Sequence, residues 1–140
     1  MKGVILDLDG VLRRGRSPIP GSVEAVLHLA SRGVSICYLT NNSTRKGTEL
    51  VSELMNMGYP DAEIVTSARA ASMYIIGEHG PSRCLVVGER GLLEELELAG
   101  HEAFMAGELQ RYAGFDHVVA GLDRDLTYAK VRDALGAIRE

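Results

Sequence analysis

The chain has 140 residues, 46% hydrophobic and 24% charged, with a mean hydropathy of +0.02, an ordinary globular profile long enough to bury a core. A net charge of -4 with no Lys/Arg-rich block leaves no electrostatic footprint for nucleic acid. There is no run resembling a signal peptide or a membrane span, so the expectation is a cytoplasmic protein that binds neither nucleic acid nor membrane. Cys37 and Cys84 each sit in an apolar stretch without metal or disulfide spacing and are expected to be buried free thiols.

Residues 3–7 form a short, continuous apolar run, the kind of strand buried on both faces of a parallel sheet. Pro18, Pro20 and Gly21 mark a loop into a helix over 22–31, with Val23, Val26, Leu27 and Ala30 on its apolar face and Gly33 as its stop. A second strand over 34–39 leads into the polar turn Thr40-Asn41-Asn42-Ser43. A helix over 44–57 follows, with Leu50, Leu54 and Met57 on one stripe and Gly58 after it, then a third strand over 62–66. Ser67 caps a helix over 67–78, which Gly80-Pro81 ends. A strand over 83–87, a helix over 91–99, and strands over 101–104 and 115–120 come next. Thr127 caps a last helix with apolar positions Val131, Leu135 and Ile138. Strands alternating with helices predict an α/β protein with mainly parallel sheets, with a domain junction between residues 66 and 72.

In open α/β sheets, ligands bind beyond the carboxyl ends of the strands. The first strand ends in Asp7, with Asp9 two residues on; the second ends in Thr40-Asn41-Asn42-Ser43. Two carboxylates leaving one strand converge on a small volume, which invites a divalent cation. All-oxygen donors make that cation Mg²⁺. An Asp-Gly pair also marks an ordinary turn, and Thr40-Asn41 also suits a turn before a helix, so neither feature decides alone. A Thr hydroxyl followed by backbone N–H groups suits a phosphate oxygen, and the two features at adjacent strand ends reinforce each other. His28, His79, His101 and His117 lack ligand spacing and read as surface or internally satisfied residues.

The apolar strand with Asp7-Leu8-Asp9-Gly10-Val11-Leu12 resembles motif I of the haloacid dehalogenase (HAD) superfamily, and the strand with Thr40-Asn41-Asn42-Ser43 resembles motif II. Ile19-Pro20-Gly21, Ile64-Val65-Thr66-Ser67, Val86-Val87-Gly88 and Val119-Ala120-Gly121-Leu122-Asp123 are similar to the NagD-like, 4-nitrophenylphosphatase branch. The resemblance implies a partial, doubly wound, Rossmann-like core over 1–68 and part of an α/β cap domain over 69–140. It implies a phosphatase of small phosphorylated metabolites in which Asp7 is the nucleophile and Asp9 the acid and base. Asp7 and Asp9 would hold Mg²⁺, Asp9 through its backbone carbonyl, and Gly10 would permit a tight turn beside it. Thr40 and Asn41 would hold the phosphoryl group, with Asn42 and Ser43 orienting substrate or capping the helix. An acidic Asp9 argues against dehalogenation, whose halide leaving group needs no proton.

The same resemblance implies a charge-balancing lysine or arginine and further acidic metal ligands after the cap. Neither occurs in residues 1–140, and Lys2, Lys46 and Lys130 lie at other points of the pattern. The expectation is therefore an incomplete phosphatase with weak or no turnover by itself, or a homo-oligomer that pairs the exposed edge of the first strand. A non-catalytic binding or assembly module built on half of such an enzyme is the alternative. A phospho-accepting receiver domain is excluded, because no Asp closes a middle strand and no Lys a late one. The loop Gly121-Leu122-Asp123-Arg124 reads either as a cap loop facing the site or as a solvated turn ion pair.

Overall fold

The computed structural model describes residues 2–107, 109 and 111–140, which form two compact units. The first comprises Met1–Asn41 and Gly47–Thr66, the second Asn42–Lys46 and Ser67–Glu140.

In the first unit, β1 (Gly3–Asp7), β4 (Ser35–Thr40) and β5 (Glu63–Thr66) make a parallel sheet in the order β1-β4-β5. Helices α1 (Ser22–Ser31) and α2 (Gly47–Asn56) supply the crossovers, as parallel neighbours require. Register pairs Leu6 with Tyr38 and Tyr38 with Ile64. Those side chains join Leu8, Leu12, Val26, Leu50, Leu54 and Tyr59 in one cluster, so both helices cover the same face. Each fully buried leucine contributes about 2 kcal/mol of transfer free energy. The Tyr38 hydroxyl donates to the Pro60 carbonyl at 2.8 Å.

The opposite face departs from expectation. β1 alternates rather than being buried on both sides; Ile5 is 67% exposed and Leu39 44%. β1 is an edge strand with α1 and α2 packed on one side only, so no helix of this unit reaches Ile5. Leu27 is also exposed, because the turns of α1 that meet the core carry Val23 and Val26. A short antiparallel pair, β2 (Arg13–Arg14) with β3 (Ser17–Pro18), occupies a stretch in which the sequence predicted no strand. Ser22 anchors its base, its hydroxyl meeting the Leu12 and Ile19 carbonyls and the Tyr59 hydroxyl.

In the second unit, β6 (Arg83–Val87) lies between β7 (Glu102–Met105) and β8 (His117–Ala120), all parallel. This sheet is covered on both faces. Cys84 and Val86 pack with Ala68 and Ile75 of α3 (Ser67–His79) and with Leu92 and Leu96 of α4 (Arg90–Leu98). Leu85 and Val87 pack with Ala106, Ala134 and Ala137, the last two on α5 (Tyr128–Arg139). The two-sided burial expected of β1 is thus found in β6, which the sequence marked only as a strand. Cys84 is buried, whereas Cys37 is half-buried, and both are free thiols.

The face of α5 is a second correction. Val131, Leu135 and Ile138, expected to point inward, are 49%, 53% and 69% exposed, and Asp133 is fully buried instead. The Asp133 carboxylate accepts the Gly107 and Leu109 amides at 2.8 and 3.1 Å, and Gly136 lies against the Tyr112 ring. Two half-buried amides that find their acceptor in Asp133 and a flat ring needing a hollow thus select the face with Asp133, Ala134, Gly136 and Ala137. Thr127 caps α5 as expected, accepting the Lys130 amide. No helix among the described residues is long and apolar enough to cross a membrane.

Candidate active site

The carboxyl end of β1 is built by local backbone geometry. Leu8 is buried and anchors a reversal in which the amides of Leu12 and Arg13 both donate to the Leu8 carbonyl, at 3.0 and 2.9 Å. Gly10 closes the turn, its amide donating to the Arg13 carbonyl at 2.8 Å. Its φ of 90° is a left-handed value that favours glycine. The turn leaves Asp7 and Asp9 exposed on either side of Leu8. The Asp7 carboxylate accepts the Leu8 amide at 2.9 Å.

Asp7 lies opposite Leu39 in the register, so Thr40 stands one residue beyond it on the neighbouring strand, and adjacent strands lie about 4.8 Å apart. The two share a strand end but not a face. Asp7 continues the exposed face of Ile5, while Thr40 is 2% exposed on the face of Tyr38, opposite the fully buried Thr66. Asn41 is exposed directly after it. The structure therefore gathers Asp7, Asp9, Thr40 and Asn41 at one end of the first sheet.

Asn42 belongs to the second unit, and its side-chain oxygen accepts both the amide and the hydroxyl of Thr44 at 2.8 Å. This Asx-type turn is a local structural use of the side chain. Neither Ser43 nor Thr44 starts α2, which begins at Gly47. The Ser43 hydroxyl instead accepts the Leu122 amide at 3.0 Å, and the Thr44 carbonyl accepts the Gly91 amide at 3.2 Å. With those groups bound elsewhere, the helix opens three residues later than its apolar stripe suggests.

The sequence reading passed over Arg13, which pairs with Asp9, and Glu53, which pairs with Arg13. Arg13, with a side chain only 7% exposed, directs Nε to Asp9 Oδ1 at 3.1 Å and a terminal guanidinium nitrogen to Glu53 Oε2 at 2.8 Å. The spacing of Asp9 and Arg13, four residues apart with opposite charges, was the available signal. In the later loop, Asp123 and Arg124 do not pair with each other. Asp123 pairs with Lys130 at 2.7 Å in a nearly buried bridge, and Arg124 with Glu89 at 3.2 Å. Lys46 pairs with Glu94 at 3.0 Å, and the Arg90 and Lys46 hydrogen bonds hold the Glu94 carboxyl below its usual range. His101 is buried and satisfied, one ring nitrogen accepting the Ser82 amide at 3.2 Å and the other bonded to the Ser72 carbonyl.

The donors at Asp7 and Asp9 are oxygens, and no group of three or more His, Cys, Asp or Glu gathers among the described residues. That chemistry fits Mg²⁺, which is commonly held by one or two carboxylates with waters completing its octahedron, and disfavours softer metals.

Paired aspartates and a Thr-Asn turn thus stand at neighbouring strand ends of an α/β sheet, and comparison with protein families gives the class. Residues 4–102 match the haloacid dehalogenase-like hydrolase family, to which the chain belongs. It is 33% identical to an acid sugar phosphatase of Staphylococcus haemolyticus, over 99% of this chain and 51% of that protein. Among solved structures, a hypothetical protein from Pyrococcus horikoshii superposes with a TM-score of 0.90 at 37% identity, covering 99% of this chain and 55% of the other. A p-nitrophenyl phosphatase from Archaeoglobus fulgidus superposes with a TM-score of 0.89 at 34% identity, covering 99% and 51%. A glycerol phosphate phosphatase of Mycobacterium tuberculosis, 30% identical over 96% of this chain and 40% of that one, with a TM-score of 0.80, was solved with magnesium. The chain spans about half the length of the curated relatives it matches.

Proposed function

We propose that the chain carries the nucleophile and acid–base end of a Mg²⁺-dependent phosphatase of small phosphomonoesters that works through an aspartyl-phosphate. The observation that carries this reading is the exposed Asp7/Asp9 pair at the end of β1, beside Thr40-Asn41 at the end of β4, in a chain of this hydrolase family. The first unit is read as part of the core and the second as part of an α/β cap that selects the substrate.

In the proposed reaction a carboxylate oxygen of Asp7 attacks phosphorus as the bond to the ester oxygen breaks, and Asp9 delivers its proton to the departing alkoxide. Asp9, now ionised, takes a proton from water, whose oxygen attacks the same phosphorus. Inorganic phosphate leaves and the Asp7 carboxylate is restored. Thr40 and the Asn41 amide hold the phosphoryl oxygens, and Asn42 is a candidate for orienting substrate. Asp7 and Asp9 are the residues that would hold Mg²⁺, which when bound supplies screening between the attacking carboxylate and the phosphate dianion. Sugar phosphates and p-nitrophenyl phosphate are the first substrates to assay, given the relatives' names.

The test is a Mg²⁺ titration followed at the backbone amides. The reading expects shifts confined to residues 7–10 and their neighbours at 40–41, abolished in Asp7→Asn. Shifts that survive that substitution, or none with millimolar Mg²⁺, would contradict it. The exposed edge of β1 is further proposed to pair with a second copy, a reading supported by its edge position and by the exposure of Ile5 on that strand.

A further inference from the structure

We infer that Arg13, braced by Glu53, is a positioning residue that fixes the direction of the Asp9 carboxylate and leaves its second oxygen to exchange a proton with the substrate. The inference rests on the acid–base reading of Asp9 given above. Its basis is an asymmetric arrangement at that carboxylate: Oδ1 accepts from Arg13 Nε at 3.1 Å, and the side chain is 51% exposed. The guanidinium is the opposite, 7% exposed and tied at its other end to Glu53 Oε2 at 2.8 Å.

An exposed aspartate otherwise turns freely about χ1, and each extra rotamer dilutes the one that faces the leaving group. An ion pair between two exposed side chains restrains little, because both partners move. Here one partner is fixed. The Arg13 backbone is held by its amide on the Leu8 carbonyl at 2.9 Å and its carbonyl under the Gly10 amide at 2.8 Å. β2 pairs Arg13 with Pro18. Glu53, on α2 and 20% exposed, fixes the far end of the guanidinium. The planar fork of arginine meets two carboxylates at separate nitrogens, a geometry that a lysine ammonium cannot reproduce. All three residues lie in the first unit, so the brace is local to the proposed acid. A group held in place before reaction avoids the entropy of finding its position during it.

The experiment uses the whole chain and two kinds of reading. First, three-bond couplings to the Asp9 carboxyl carbon report its χ1 populations. The expected result is one dominant rotamer in the wild type, averaging in Arg13→Gln, and intermediate averaging in Glu53→Gln, which spares the buried guanidinium and covers the case in which Arg13→Gln does not fold. Averaging already present in the wild type, or an unchanged rotamer in both folded variants, would overturn the inference. Second, phosphatase kinetics with Mg²⁺ on the gene product are expected to show kcat reduced on the order of tenfold in Arg13→Gln, with KM within about twofold. Arg13→Lys is expected to restore only part of the loss. Equal kcat in Arg13→Gln and wild type would overturn the positioning role. Full activity in Asp9→Asn would instead remove the acid–base reading while leaving the rotamer result standing, so the two failures are distinguishable.

Discussion

The Asp133 carboxylate, fully buried on α5, accepts the Gly107 amide at 2.8 Å and thereby fixes the chain that leaves β7. Burial alone pushes this carboxyl up, but the Leu109 amide, the Arg132 guanidinium and the Gly107 amide together outweigh it and hold the group below an ordinary aspartate. A carboxyl lowered in the folded state adds stability that is complete above its unfolded value. That stability is lost as pH falls through the folded value. Acid unfolding of the second unit, followed by circular dichroism, is therefore expected to begin below about pH 4. Asp133→Ala should flatten that dependence and cost about 2 kcal/mol in urea denaturation at neutral pH. An unchanged urea midpoint would contradict the assignment.

Gly136→Ala sets helix propensity against packing. Alanine in place of glycine within a helix gains about 1 kcal/mol. A β-carbon at Gly136 would meet Tyr112 ring atoms at 2.5 to 2.7 Å, inside any real contact, and overpacking of this kind costs roughly 1–3 kcal/mol. The net expectation is destabilisation in thermal melts, with rescue by Tyr112→Ala. A raised midpoint would show that α5 does not pack on that ring.

The Tyr38 hydroxyl should resist ionisation. Burial, then the nearby Tyr59 and Asp61, push its hydroxyl up to about 12. A value raised in the folded state means that stability is intact below the unfolded value and falls as pH rises toward the folded one. Absorbance titration near 295 nm should thus show one phenol resisting ionisation until about pH 12, a step missing in Tyr38→Phe. Ionisation of every tyrosine near pH 10 would contradict the buried environment.

The open edge of β1 predicts self-association. Light scattering across a concentration series should show dimer at high concentration, and Ile5→Lys, placing a charge on a 67% exposed apolar position, should shift it to monomer. A wild-type monomer at all concentrations would remove the edge-pairing reading.

Strong periodicity and plain stop signals made several elements legible. Residues 3–7, 22–31 and 83–87 were read with the observed bounds, since apolar runs and flanking glycines mark them without help from distant contacts. The β2–β3 pair was not legible, because two-residue strands carry no period to detect. The face of α5 was misread for a tertiary reason: Asp133 is polar in sequence but is turned inward by two amides from another segment. At the site, Asp7 and Thr40 announced themselves as strand ends, whereas Arg13 and Glu53 meet only because α2 folds back on the turn after β1. That their charges meet across 40 residues is a fact of packing, not of spacing.

The central claim is that Asp7 is a phosphoryl-accepting nucleophile. The most direct measurement is Mg²⁺-dependent hydrolysis of p-nitrophenyl phosphate by the protein at the length its gene encodes, wild type against Asp7→Asn. The account predicts metal-dependent turnover that falls by at least about a thousandfold in the variant, since a covalent route has no substitute for its nucleophile. Metal-dependent turnover in Asp7→Asn within tenfold of the wild type would contradict the account.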